Sequence, residues 1–173
     1  QDPGHTTTQQ PAFNVQMIDT LGNAIPCTFY NVAAGQNITG FQNSPNCAGV
    51  VYKPWTNVVV DLTNYIGQNV IIRFTTYDCS LGGHYGYAYI DGDCDPLVIL
   101  ASSPSVCGGS TVTLTAPAGA AGYAWTNTAG GTTGIVGSTT GSTAVVNAAG
   151  TYQCIITSDA GPSCTTTLQI TVG

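Results

Sequence analysis

The chain has 173 residues, enough for one large β-domain or two small ones, either of which would bury a core. Charged residues make up only 6%, against roughly 25% in ordinary soluble domains, while hydrophobic residues reach 43%. No apolar run approaches the ~20 residues of a spanning helix, and a net charge of −6, with Lys53 and Arg73 the only fixed cations, argues against nucleic acid or anionic lipid as partner.

Residues 1–11 lack apolar periodicity and read as a loop or tail. They are polar, with no signal-peptide pattern, and Gln1 in place of Met suggests a processed or truncated start. From 12 to 18 the pattern alternates, with Phe13, Val15 and Met17 on one face and Asn14 and Gln16 on the other, which predicts a half-buried strand. A turn at 21–23 leads into a strand over 24–32 that carries Cys27. Residues 33–49 are rich in Gly and Asn, with two short candidate strands and Cys47. Val- and Ile-dense strands follow over 50–55, 57–62 and 69–76, with 63–68 as a turn.

The stretch 77–94, YDCSLGGHYGYAYIDGDC, closes this half and contains Cys79, His84, Cys94 and a tyrosine row on a predicted strand over 85–91. Residues 92–105, with Pro96 and Pro104, form a junction with a short strand over 97–100. Strands are then expected over 111–116, 123–126, 143–147, 150–158 and 165–172, separated by Gly/Ser/Thr/Ala-rich loops, notably 128–142. This spacing, a central Trp125, and Tyr152 two residues before Cys154 predict an immunoglobulin-like sandwich. The fold class is all-β: two β-sandwich domains in tandem, 1–95 jelly-roll-like and 96–173 immunoglobulin-like.

Seven cysteines without a C-x-x-C pair point to disulfides in an oxidising compartment rather than zinc. The candidates are Cys27, Cys47, Cys79, Cys94, Cys107 and Cys164. An immunoglobulin cysteine would sit near Ala116, yet Cys107 precedes its strand. The reading therefore pairs Cys107 with Cys164, worth on the order of 4 kcal/mol in the chain-entropy account, and buries Cys154 as a small hydrophobe. The odd number leaves one thiol free, or joined to a partner outside the chain.

Asp91, Asp93 and Asp95 alternate as an EF-hand loop begins, but Pro96 and Ser102 stand where that loop needs Gly and Glu. These carboxylates, with Asp78 if its loop folds back, are either a Ca²⁺ site stiffening the junction or solvated linker acids. His5 and His84 are either part of a metal site or hydrogen-bonded structural residues. Tyr85, Tyr87 and Tyr89 share a face and either pack beneath the sandwich or stack on sugar rings. Asn37 begins a glycosylation sequon. With no Glu, no nucleophile elbow and no HExxH, a catalytic centre is not expected; Asp61, Asp78 and Asp91 have no spacing that requires a paired-carboxylate site.

The segments DPGHTTTQQPAF (2–13), FNVQMIDTLGNAIPC (13–27), VYKPWTNVVVDLTNYIGQNVIIRFTTYDC (51–79) and GGHYGYAYID (82–91) resemble the cell-surface and gliding-motility-associated proteins of Bacteroidota. Residues 105–173 resemble the Ig-like or PKD-like repeats that follow such modules. The resemblance implies that the segment like 2–13 lies in the middle of a sandwich with strands upstream. The chain is then a fragment, or takes strands from a neighbour, and Cys94 is the cysteine whose partner is lost. It also implies O-glycosylation at Thr20, within Asp19-Thr20-Leu21.

The expected function is a secreted, non-enzymatic structural or adhesive subunit at the outer cell surface. It self-associates through β-strand edges or joins neighbouring modules. The alternative is a carbohydrate-binding module with an Ig-like spacer.

Overall fold

The computed structural model of the chain describes residues 5–34 and 40–173. The chain is all-β: the helical elements among the described residues are two single 3₁₀ turns, Thr7–Gln9 and Thr63–Tyr65. The strands are β1 (Ala12–Ile18), β2 (Tyr30–Ala33), β3 (Gln42–Asn43), β4 (Val51–Tyr52), β5 (Ile71–Tyr77), β6 (Leu100–Ala101), β7 (Val112–Thr115), β8 (Gly122–Asn127), β9 (Ile135–Val136), β10 (Thr143–Val146), β11 (Gly150–Thr157) and β12 (Thr165–Val172). Two compact units divide them: Gln1–Thr56 with Tyr65–Asp93, and Asn57–Asn64 with Cys94–Gly173.

In the first unit β1 is the middle strand of an antiparallel sheet ordered β2-β1-β5, and β3 pairs with β4 in a short ribbon. β1 runs against β5 over its full length, from Ala12↔Tyr77 to Ile18↔Ile71, but against β2 only from Ala12↔Ala33 to Val15↔Tyr30. The predicted strand over 24–32 is broken. Pro26 has no N–H to give a ladder, and Cys27 takes a left-handed φ of 59°, which strands do not accommodate. Ala24 keeps one isolated bridge to Ile18, and the chain re-enters the sheet as β2. Thr28, buried in the turn, accepts from the Met17 N–H at 3.2 Å and donates to the Ile25 carbonyl at 2.7 Å.

The predicted strand over 85–91 forms no ladder. A Cβ on Gly86 would stand 2.9 Å from Cβ of Pro11, so this segment lies against Pro11, which lacks the N–H a ladder needs. The segment 57–62, expected in the first module, packs with the second unit. The Val59 N–H donates to the Gly119 carbonyl at 3.0 Å, and Asp61 accepts from Thr166 Oγ1 at 2.7 Å.

The second unit has two antiparallel sheets, ordered β6-β7-β10-β9 and β12-β11-β8. Side chains alternate in and out along each strand, so every second residue enters the core: Val112 and Leu114 from β7, Ala144 and Val146 from β10, Tyr152, Cys154 and Ile156 from β11. Trp125 from β8 lies directly opposite Cys154. Each fully buried Val, Leu or Ile stabilises the unit by about 1.5–3 kcal/mol. The two largest buried side chains place their polar atoms on backbone carbonyls: Trp125 Nε1 donates to that of Gly141 at 2.9 Å, and Tyr152 Oη to that of Ala148 at 2.7 Å. Asn127 Nδ2 donates to the Thr133 carbonyl, and its Oδ1 accepts from the Ala129 N–H, both at 2.9 Å.

The expected Cys107–Cys164 bridge is not made. Cys107 carries a free thiol, and the disulfide-bonded cysteines are Cys27 and Cys164. Topology explains it. Cys164 precedes the first residue of β12, whereas the far end of that strand meets the segment leading to Cys107: Val106 N–H donates to the Gly173 carbonyl, and Gly173 N–H to that of Pro104. An eight-residue strand spans roughly 26 Å, far beyond the ~7 Å between Cα atoms that a disulfide tolerates. Cys47 and Cys79 also carry free thiols, as does the fully buried Cys154.

Candidate functional site

The residues that converge most closely lie at one end of the first unit's sheet. After β5, residues 79–84 (CSLGGH) reverse direction. Gly82 and Gly83 take left-handed φ values of 75° and 90°, which residues with a Cβ adopt only under strain. Two backbone hydrogen bonds close the loop, from Gly82 N–H to the Cys79 carbonyl at 3.2 Å and from Cys79 N–H to the His84 carbonyl at 3.3 Å. The Cys79 N–H also donates to Asp78 Oδ1 at 2.7 Å. The reversal sets His84 Nδ1 3.5 Å from Cys79 Sγ.

A third residue arrives from far away in sequence. The 3₁₀ turn Thr7–Gln9 is tightened by Gln9, whose N–H donates to the Thr6 carbonyl and whose Oε1 accepts from the Thr6 N–H at 2.9 Å. Ser80 N–H donates to the Gln9 carbonyl at 3.2 Å, tying this turn to the 79–84 loop. His5 is thereby brought edge-on to His84, with ring centroids 5.1 Å apart and planes at 82°. One donor atom from each of His5, Cys79 and His84 lies within 4.8 Å of the other two; Cys79 is buried and both histidines are half-buried. Sequence reasoning named both histidines but gave Cys79 to a disulfide. The available signal was C-x₄-H around a Gly-Gly turn.

No other group of three such ligands converges among the described residues. Asp78, Asp91, Asp93 and Asp95, named for Ca²⁺, are all exposed. Cys94 is exposed as well.

The tyrosine row does not pack beneath a sandwich. Tyr85, Tyr87 and Tyr89 are 80%, 71% and 79% exposed, and the rings of Tyr87 and Tyr89 meet edge-on with centroids 5.8 Å apart. Without a ladder over 85–91, no second layer covers them. On β5, Ile72 and Phe74 on one face and Ile71 and Tyr77 on the other are all about half exposed. Phe74 still stacks on Phe13 across the ladder, with centroids 6.4 Å apart.

Thr20 is exposed at a turn whose geometry Asp19 sets, its carboxylate accepting from Leu21 N–H, Asn23 N–H and Asn23 Nδ2. The Asn23 side chain and backbone donors hold that carboxyl below the usual range. Asn37 lies outside the described residues. Asp61 takes part in a local hydrogen-bonded link to Thr63 and Thr166. No helix among the described residues is long and apolar enough to cross a membrane. No protein family, curated protein or solved structure matches this chain.

Proposed function

We propose that the chain is a non-enzymatic structural or adhesive module that works outside the cell. In this reading an immunoglobulin-like sandwich carries an unfinished, jelly-roll-like β-layer that a second copy of the chain completes by strand addition. The observation that carries it is β5, an outer strand of its sheet with apolar side chains about half exposed on both faces. Soluble proteins normally shield such an edge with charge, proline or a covering segment, because it templates pairing with another strand. β5 has Arg73 as its single charge. With 6% charged residues overall, little repulsion opposes the approach of two such edges.

Support for the immunoglobulin-like half comes from strand order. The orders β6-β7-β10-β9 and β12-β11-β8 correspond to the two sheets of a constant-type immunoglobulin sandwich, with Trp125 on its third strand and Tyr152 on its sixth. The Tyr152–Ala148 hydrogen bond corresponds to a tyrosine corner. Disulfide-bonded Cys27 and Cys164 suit an oxidising location.

The test is assembly. Mass photometry over a concentration series and negative-stain imaging should detect oligomers or filaments. Ile72→Lys with Phe74→Lys should abolish them while the second unit melts as before. A chain that stays monomeric at every concentration would defeat the reading.

The exposed tyrosines favour a second reading, glycan binding. Rings with a free face stack on sugars, and the exposure of these three supports that reading over packing beneath the sandwich. Glycan-array binding that is lost on Tyr→Ala changes at 85, 87 and 89 would support it. A blank array would remove it.

A further inference from the structure

We propose that His5, Cys79 and His84 form a three-ligand site for a transition-metal dication of borderline softness, zinc first among them, with solvent completing a tetrahedral shell. This goes beyond the assembly reading and does not depend on it.

The donor set selects the ion. Two imidazoles and a thiol offer no oxygen, so Ca²⁺ and Mg²⁺, which need carboxylates and carbonyls, are excluded by chemistry. Imidazole and thiolate suit Zn²⁺ and its neighbours in the first transition row. Zinc is redox-inert, so it would cap a thiol in an oxidising setting without consuming it, whereas copper would favour its oxidation.

Geometry agrees. Tetrahedral zinc with bonds of about 2.3 Å to sulfur and about 2.05 Å to nitrogen puts those two ligand atoms about 3.6 Å apart. Cys79 Sγ and His84 Nδ1 are already 3.5 Å apart. All three donor atoms lie within 4.8 Å of one another, so no pair exceeds that spacing by more than about 1.2 Å, which side-chain rotations close. An S–H···N hydrogen bond alone would account for Cys79 and His84. The third donor, His5, arrives on a separate segment that the Ser80–Gln9 bond anchors beside them.

The backbone that carries the ligands is held in place. The 79–84 loop is closed by its own backbone, and Gln10 Nε2 reaches the His5 carbonyl at 3.4 Å, so the ligands sit on held backbone. On binding, the Cys79 thiol proton passes to solvent and the thiolate takes its place on the metal. The ion would then clamp the N-terminal segment to the loop that ends β5.

Titration of the intact, metal-stripped chain with Co²⁺ is the direct test, because it reads the ligands in the native protein. One equivalent should produce both thiolate-to-cobalt charge transfer in the near ultraviolet and the intense visible bands of a tetrahedral ion. One equivalent of Zn²⁺ should bleach them. Zn²⁺ should also protect Cys79 from iodoacetamide, mapped by peptide mass spectrometry, while leaving the exposed Cys47 and Cys107 as reactive as before. Cys79→Ser and His84→Gln should each weaken zinc binding by more than the roughly 10- to 100-fold that loss of an outer-layer partner costs. Cys107→Ser should change nothing. Cobalt spectra without charge transfer, or Cys79 alkylation at the same rate with and without zinc, would overturn the proposal even if a variant failed to fold.

Discussion

Tyr152 Oη donates a 2.7 Å hydrogen bond to the carbonyl of Ala148, four residues upstream, from a side chain with no solvent exposure. The bond pins the approach to β11, so the strand enters with Tyr152, Cys154 and Ile156 facing inward. Tyr152→Phe keeps the ring and leaves the Ala148 carbonyl without this donor. The expected loss is about 1–2 kcal/mol, seen as a lower urea midpoint at unchanged m-value. An unchanged midpoint would mean that water replaces the hydroxyl without cost.

Gly134 lies against the same hydroxyl. Its φ is 78°, and a Cβ there would collide with Tyr152 Oη and stand 3.1 Å from Cβ of Ala148. Gly134→Ala therefore combines backbone strain with overpacking and should cost about 2 kcal/mol or more. Because Phe lacks the colliding oxygen, the double variant with Tyr152→Phe should cost less than the sum of the two single changes. Strict additivity in denaturant melts would show that the collision is relieved elsewhere.

The second unit was largely legible because its strands alternate cleanly: Val112 and Leu114, Ala144 and Val146, and Tyr152, Cys154 and Ile156 each fall at a spacing of two. β9 was missed because Ile135 and Val136 are two residues inside a Gly- and Thr-rich loop, too few to show a period. The first unit was harder to read for the opposite reason. Val58, Val59 and Val60 look like a core strand of whatever precedes them, yet they pack with the second unit, and composition carries no information about which sheet a β-branched run joins. The tyrosines at 85, 87 and 89 alternate as a buried face would, but the segment has no ladder to give them one. The meeting of His5 with the 79–84 loop was not readable, since it depends on the path of the N-terminal turn.

Cys154 gives the second unit an alkaline weakness. Burial pushes its thiol up to about 11 from an ordinary 9.0, and a hydrogen bond with the Ala124 backbone only partly opposes this. Between those two values the unfolded chain has lost the proton that the folded chain keeps, so stability falls as pH rises through the window, by less than about 3 kcal/mol. Burial also raises the Tyr152 hydroxyl, which adds in the same direction. Cys154→Ala costs stability at neutral pH by leaving a cavity, but its stability should fall less steeply from pH 9 to 11. Parallel pH curves for the two proteins would contradict the burial account.

Asp61 ties 57–64 to β12. Its Oδ1 accepts from the Thr63 N–H at 2.8 Å and its Oδ2 from Thr166 Oγ1 at 2.7 Å. Desolvation pushes the carboxyl up, but the hydrogen bonds from Thr63 and Thr166 outweigh it and hold it below the ordinary 3.8. A folded value below the unfolded one means that the contribution is present above pH 3.8 and lost as pH falls through the folded value. Asp61→Asn should remove that part of the acid sensitivity while nearly preserving shape. Asp61→Ala should speed amide exchange across 57–64, Thr63 above all, and leave β10 and β11 protected; Thr166→Val should do the same more weakly. If exchange in 57–64 instead follows that of β1 and β5 in both variants, the segment is held by the first unit, and the hydrogen bonds to Gly119 and Thr166 do not anchor it.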